Sequence, residues 1–100
     1  MAYAHDTRII KTEDNIWKFP KFINFESASS YSQKFTNLSY DDSIIFDLSE
    51  TENVHSSFIG FLIDLKQRID RSGGALTIHP SPSLEKLFNV IDLYDYFIPH

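Results

Sequence analysis

The residues of this chain that could do chemistry are a His55-Ser56-Ser57 run, three further histidines, one glycine pair and several paired acids. A hydroxyl beside an imidazole suggests first a nucleophile with its base. Adjacent residues on a turn rarely set the base on the hydroxyl, and that chemistry also needs an orienting carboxylate and an oxyanion site. No Gly-x-Ser-x-Gly elbow is present. His5, His55, His79 and His100 lack metal-ligand spacing, and there is no Cys to join them. Gly73-Gly74 is too short a glycine pattern to cradle a phosphate. Asp41-Asp42 and Asp92/Asp95 read as solvated turn residues. The expectation is no catalysis, no metal and no cofactor.

What remains is recognition. Ser56 falls at the start of a helix, where unpaired amides and the macrodipole favour negative charge. A phosphate there would add about −1.5 to −2 charges and three acceptor oxygens while leaving the core intact. It would disrupt a docked partner by repulsion and desolvation, with Glu50 and Glu52 adding to the repulsion. Ser56 is also expected to serve as the helix N-cap.

The elements that must position this run follow from periodicity. Residues 7–10 and 16–19 read as short strands around a turn at Glu13-Asp14-Asn15. Pro20, lacking an amide hydrogen, ends the second. Asn24 is a helix N-cap with Glu26 in the first turn, and Ala28, Tyr31, Phe35 and Leu38 line one face. Asp41-Asp42 turns the chain into a strand over 43–48, whose nearly continuous apolar run predicts cover on both faces. After the polar loop 49–53, Phe58, Phe61, Leu62, Leu65 and Ile69 form a helical stripe ending at Gly73-Gly74.

Residues 75–78 are a further strand. Ser81 caps a third helix with Pro82 in its first turn, and Leu84, Leu87, Phe88 and Ile91 face inward. Tyr96–Ile98 is expected as a final short strand, and Trp17 as core or edge packing. Strands alternating with helices predict one α/β domain over 1–100, with a mixed, mostly parallel sheet of four to five strands and three main helices. Ile45, Phe46, Leu62, Leu65 and Phe88 belong to its expected core.

At about 100° per residue, Ser56 lies opposite the Phe58/Leu62/Leu65 stripe, with Ile59, Gly60 and Ile63 on or beside its side. Two readings stand for those residues: a partner-docking face with close approach at the glycine, or apolar residues that merely flank the core.

Composition narrows the partners. The chain has 9 Lys and Arg against 14 Asp and Glu, a net charge of −5, with no basic run. That excludes direct nucleic-acid binding as an expectation, since phosphate neutralisation calls for a basic patch. No apolar segment nears the ~18 residues of a membrane span, so no membrane insertion is expected. Met1–Asp6 lacks the regions of a signal peptide, and no cysteine is present. The expected location is the cytoplasm.

From Ser43 onward the sequence resembles the STAS family, whose best-known members are bacterial anti-sigma factor antagonists. The likeness is carried by Ile44-Ile45-Phe46-Asp47-Leu48-Ser49, by Val54 through Leu62, by Gly73-Gly74-Ala75-Leu76-Thr77-Ile78, by Pro80-Ser81-Pro82 with Leu84, Leu87 and Phe88, and by Leu93-Tyr94-Asp95-Tyr96-Phe97. In that family the loop after the buried strand reads Asp-Ser-Ser/Thr-Gly-Leu/Ile-Gly, and its first Ser or Thr is phosphorylated by a partner kinase. The matching segment here is His55-Ser56-Ser57-Phe58-Ile59-Gly60, with His55 in place of the Asp and Phe58 in place of a Gly. Asp92 stands where the family commonly has Gly.

The resemblance implies phosphorylation at Ser56, with Ser57 second in line. It implies partner binding through His55, Ser56, Ser57, Ile59, Gly60 and Ile63. The implied partner is an anti-sigma factor or serine kinase, with a phosphatase as a further one, and the implied role is regulation of transcription. A second implied role is a phosphorylation-independent accessory subunit of a lipid-importing ABC transporter. A small-ligand or nucleotide module is a third reading, for which no motif is found. The sequence sets no oligomeric state.

Overall fold

The first pairing is a hairpin. β1 (Ile10–Glu13) and β2 (Ile16–Lys18) run antiparallel, Ile10 opposite Lys18 and Lys11 opposite Trp17. Asn15 closes the turn at φ 68°, a conformation Asn tolerates better than most residues. Of the strand expected at 7–10, Ile10 opens β1 and Ile9 precedes it. The turn sets the register, and polar Lys11 and Glu13 become pairing partners of β2. The computed structural model describes residues 9–13, 15–36 and 43–98, so Thr7, Arg8, Asp14, Leu38, Asp41-Asp42, His5 and His100 lie outside the described residues.

β2 stops before Pro20, and the chain adds β3 (Phe22–Ile23) before α1 (Phe25–Thr36). Asn24 caps α1 as expected: its Oδ1 accepts the Ser27 amide at 2.8 Å and the Ser27 hydroxyl at 3.0 Å. Ala28, Tyr31 and Phe35 are buried along one face. β4 (Ile44–Leu48) pairs in parallel with β2, and the loop after it contains β5 (Asn53–Val54), which pairs in parallel with β3. This small second sheet escaped the periodicity argument because two residues cannot display a period. α2 (Ser56–Arg71) follows, with its stripe of Phe58, Phe61, Leu62, Leu65 and Ile69 all buried. It ends through Ser72 into Gly73 at φ 89°, where a Cβ would be strained.

β6 (Leu76–Pro80) adds in parallel to the other side of β4, giving the order β1-β2-β4-β6. Along β4, Ile44, Phe46 and Leu48 are buried while Ile45 and Asp47 are half-buried. This corrects two expectations: the strand is fully covered on one face only, and Ile45 is not in the deep core. The helices pack on the Phe46 side. Thr77, across from Ile45, is exposed, and no described helix covers that face.

α3 (Pro82–Val90) is capped by Ser81, whose Oγ accepts the Leu84 amide at 3.1 Å. Leu84 and Phe88 are buried and Leu87 half-buried, but Ile91 is 38% exposed. The helix ends at Val90, so Ile91 falls on the C-cap rather than on the inward stripe. The expected strand at Tyr96–Ile98 is instead part of a short helix, α4 (Tyr94–Phe97). Asp92 at φ 62° turns the chain back, and Phe97 packs on Phe88 with centroids 4.9 Å apart. Helical turns, not a ladder, deliver that ring.

The core is aromatic at its centre. Phe46 meets Phe19 at 4.7 Å and Phe35 at 5.2 Å, so sheet and α1 lock through rings. Trp17 packs edge-on against Phe35 at 5.3 Å, the packing role expected of it. Leu65, fully buried in the α2 stripe, tests the phasing. Leu65→Ala is expected to cost about 2–5 kcal/mol. A loss under about 0.5 kcal/mol in urea melts, the range of ordinary surface changes, would show that the stripe does not carry the core.

Candidate functional site

The site begins with the loop between β4 and α2, which is tied down at nearly every residue. Thr51 is fully buried, and its hydroxyl donates to the Pro20 carbonyl at 2.8 Å. Its amide donates to Leu48 O, and its carbonyl accepts from the Ser81 hydroxyl. The Glu52 and Asn53 amides donate to Lys21 O at 2.8 and 3.3 Å, and the His55 amide donates to Ile23 O at 2.7 Å. Nothing in the local sequence singled out Thr51. Its signal is tertiary, a hydroxyl that must be satisfied when buried.

The head of α2 corrects one expectation. His55, not Ser56, is the N-cap: its backbone is extended (φ −70°, ψ 149°) and its Nδ1 accepts the Ser57 amide at 3.0 Å. The same nitrogen lies 2.8 Å from Ser57 Oγ. The imidazole rests edge-on against Phe25, centroids 5.5 Å apart, and Phe25 is itself 59% exposed. Ser56 becomes the first helical residue; it is exposed, and its hydroxyl makes no hydrogen bond to a described residue. No acid occupies the first turn of α2, unlike α1 with Glu26 and α3 with Glu85. Glu50 and Glu52, expected to strengthen the negative field, are paired with Lys18 at 2.8 Å and Lys21 at 3.7 Å.

Along the same helix, Gly60 is exposed and a Cβ built there would meet nothing within 4 Å. It borders an open cleft of about 370 Å³ between α1 and α2, whose lining includes Phe25, Ser29, Ser57 and Asp64. Ile59 and Ile63 are half-buried and pack against the core, so both flank it as one of the two readings held. Of the six expected docking residues, His55, Ser56 and Gly60 are exposed together, and the other three are partly covered.

The open face of the sheet carries a second polar row. Lys18 stands opposite Asp47, and Asp47 opposite His79, on three parallel strands. Burial alone would raise the Asp47 pKa. The hydroxyl and amide of Ser49, both bonded to its Oδ1, together with the charges of Lys18 and His79, outweigh that and hold it below the usual carboxylate value. Lys18 is held above its ordinary value by its bond to and attraction for Glu50. Among the described residues no group of His, Asp or Glu could hold a metal ion, and no helix is long and apolar enough to cross a membrane.

A four-stranded, mostly parallel sheet with its helices packed on one face makes a small α/β domain. The chain matches the STAS domain over residues 8–100, and it belongs to that family. STAS domains generally mediate protein–protein interactions. The solved NMR structure of the protein TM1081 is similar at 20% identity and a TM-score of 0.65, over 99% of this chain and 82% of that one, a likeness of fold. None of the curated proteins matches the chain.

Two measurements probe this geometry. Gly60→Ala is expected to stabilise the protein by about 0.5–1 kcal/mol in denaturant melts, since alanine restores helix propensity with no clash; destabilisation would mean the position is crowded. For Asp47, a carboxylate whose folded pKa lies below its unfolded one stabilises the fold above the unfolded value of about 3.9. That contribution is lost as pH falls through the folded value. The unfolding free energy is therefore expected to drop from about pH 5 downward, less steeply in Asp47→Asn. Identical slopes would show that Asp47 is not linked to folding.

Proposed function

We propose that this STAS domain is a regulator of the anti-sigma factor antagonist type, catalysing nothing itself. It docks through the head of α2 onto an anti-sigma factor or serine kinase, and phosphorylation of Ser56 releases that partner. A phosphatase resets the switch, and the setting is the bacterial cytoplasm, with transcription as the regulated process. The observation that carries this reading is the exposed Ser56 hydroxyl, unbonded among described residues, on a helix capped by its neighbour His55. A phosphate added there dismantles no hydrogen bond among the described residues, and the first turn lacks an acid of its own to oppose it. Its charge falls on whatever is docked.

His55 and Phe58, standing where the family pattern has Asp and Gly, favour a second reading. In it the same face serves a phosphorylation-independent subunit of a lipid-importing ABC transporter. A permease and ATPase co-purifying with the domain would identify that role, and a serine kinase the first.

With the captured partner in hand, Ser56→Asp is expected to weaken binding at least about tenfold, or 1.4 kcal/mol. Ser56→Ala should bind like the native protein. Neither should shift the melt by more than about 0.5 kcal/mol, because Ser56 is not the cap. Gly60→Ala, stabilising by itself, should weaken binding if a partner packs closely on α2. Normal binding by both Ser56→Asp and Gly60→Ala would place the docking face elsewhere.

A further inference from the structure

We infer that His55 decides which of the two adjacent serines can be modified, holding the Ser57 hydroxyl and leaving that of Ser56 free. This rests on the reading of the α2 head as a phosphoacceptor site. The Ser57 amide donates to His55 Nδ1 at 3.0 Å, which requires that nitrogen to be unprotonated, with the ring hydrogen on Nε2. Ser57 Oγ lies 2.8 Å from the same nitrogen, within reach to share that nitrogen's single lone pair with the amide. The ring is steadied by Phe25, and Ser57 is half-buried along the cleft wall. Ser56, one residue earlier, is exposed, and its hydroxyl is bonded to no described residue.

The same device occurs at α1. There the cap Asn24 receives both the amide and the hydroxyl of Ser27, which is buried. A cap side chain that binds both groups of one serine withdraws that hydroxyl from solvent chemistry.

Phosphoryl transfer needs the acceptor oxygen in line with the leaving oxygen. Serine Oγ bonds to the γ-phosphorus of ATP, the bond to the β,γ-bridging oxygen breaks, ADP leaves, and the hydroxyl proton passes to the kinase's base. Ser56 can enter that geometry without breaking a side-chain hydrogen bond to any described residue. Ser57 must first leave His55 and the cleft wall.

The test uses a purified GHKL-type serine kinase with Mg-ATP as probe, and maps phosphate on the native protein, His55→Gly and His55→Ala by fragmentation mass spectrometry. Glycine is well tolerated at an N-cap, so the imidazole is lost with little cost to the helix; the alanine variant stands in should glycine fail to fold. Native protein is expected to carry phosphate on Ser56. Without the imidazole the Ser57 share should rise about tenfold, the worth of one such hydrogen bond. An unchanged Ser56 to Ser57 ratio, or Ser57 as the main site in the native protein, overturns the role of His55 while the phosphoacceptor reading stands. No phosphate on either serine in any form overturns that reading and this inference with it.

Discussion

Thr51 is the point on which the rest of the site depends. A buried threonine must satisfy its hydroxyl, amide and carbonyl, because each would otherwise cost about 1–3 kcal/mol. It does so against three separate parts of the chain: Pro20 before α1, Leu48 at the end of β4, and Ser81 at the head of α3. Ser81 in turn spends its oxygen twice, as donor to Thr51 and as acceptor for Leu84. One residue therefore fixes the loop from which α2 departs relative to the sheet and to both flanking helices. The short β3–β5 pairing continues the same restraint up to His55.

That rigidity lets α2 do two jobs without conflict. Its inner stripe closes on an aromatic centre, with Phe58 and Phe61 facing Phe19, Phe35 and Phe46. Its outer side carries the i,i+4 pairs Asp64–Arg68 and Lys66–Asp70, which add solubility and a few tenths of a kcal/mol each. Between those pairs and the capped end lies the one glycine of the helix, where packing asks for nothing. Gly60 therefore lowers the propensity of α2 without relieving any contact within the domain.

The parts of the fold legible in the sequence are those whose burial imposes a period. The five-residue stripe of α2, the caps Asn24 and Ser81, and the turn at Gly73 all follow from local chemistry. The parallel sheet with its antiparallel edge follows from element order. What escaped was decided by contacts distant in sequence. Ile45 reads as core in a nearly continuous apolar run, yet only alternate residues of β4 are fully buried. Phe97 reads as strand, yet it is delivered by a helical turn set by Asp92. Ser56 satisfies every local rule for a cap, and His55, a weaker candidate by type, takes the role because its backbone is already pinned to Ile23 in the extended form a cap requires.

This displacement of the cap bears on how a charge at the α2 head acts. Were Ser56 the cap, adding a phosphate would exchange one hydrogen-bonding group for another within the fold, and folding and docking would change together. With His55 capping, the Ser56 side chain makes no hydrogen bond to any described residue, so a new charge there is felt first by solvent. The helix end favours an anion rather than resisting it, and the neighbouring acids Glu50 and Glu52 are already engaged with Lys18 and Lys21. Negative charge can therefore accumulate at this one point at little expense to stability. A shift of one residue in the cap leaves the Ser56 side chain outside the hydrogen bonds that hold the described fold.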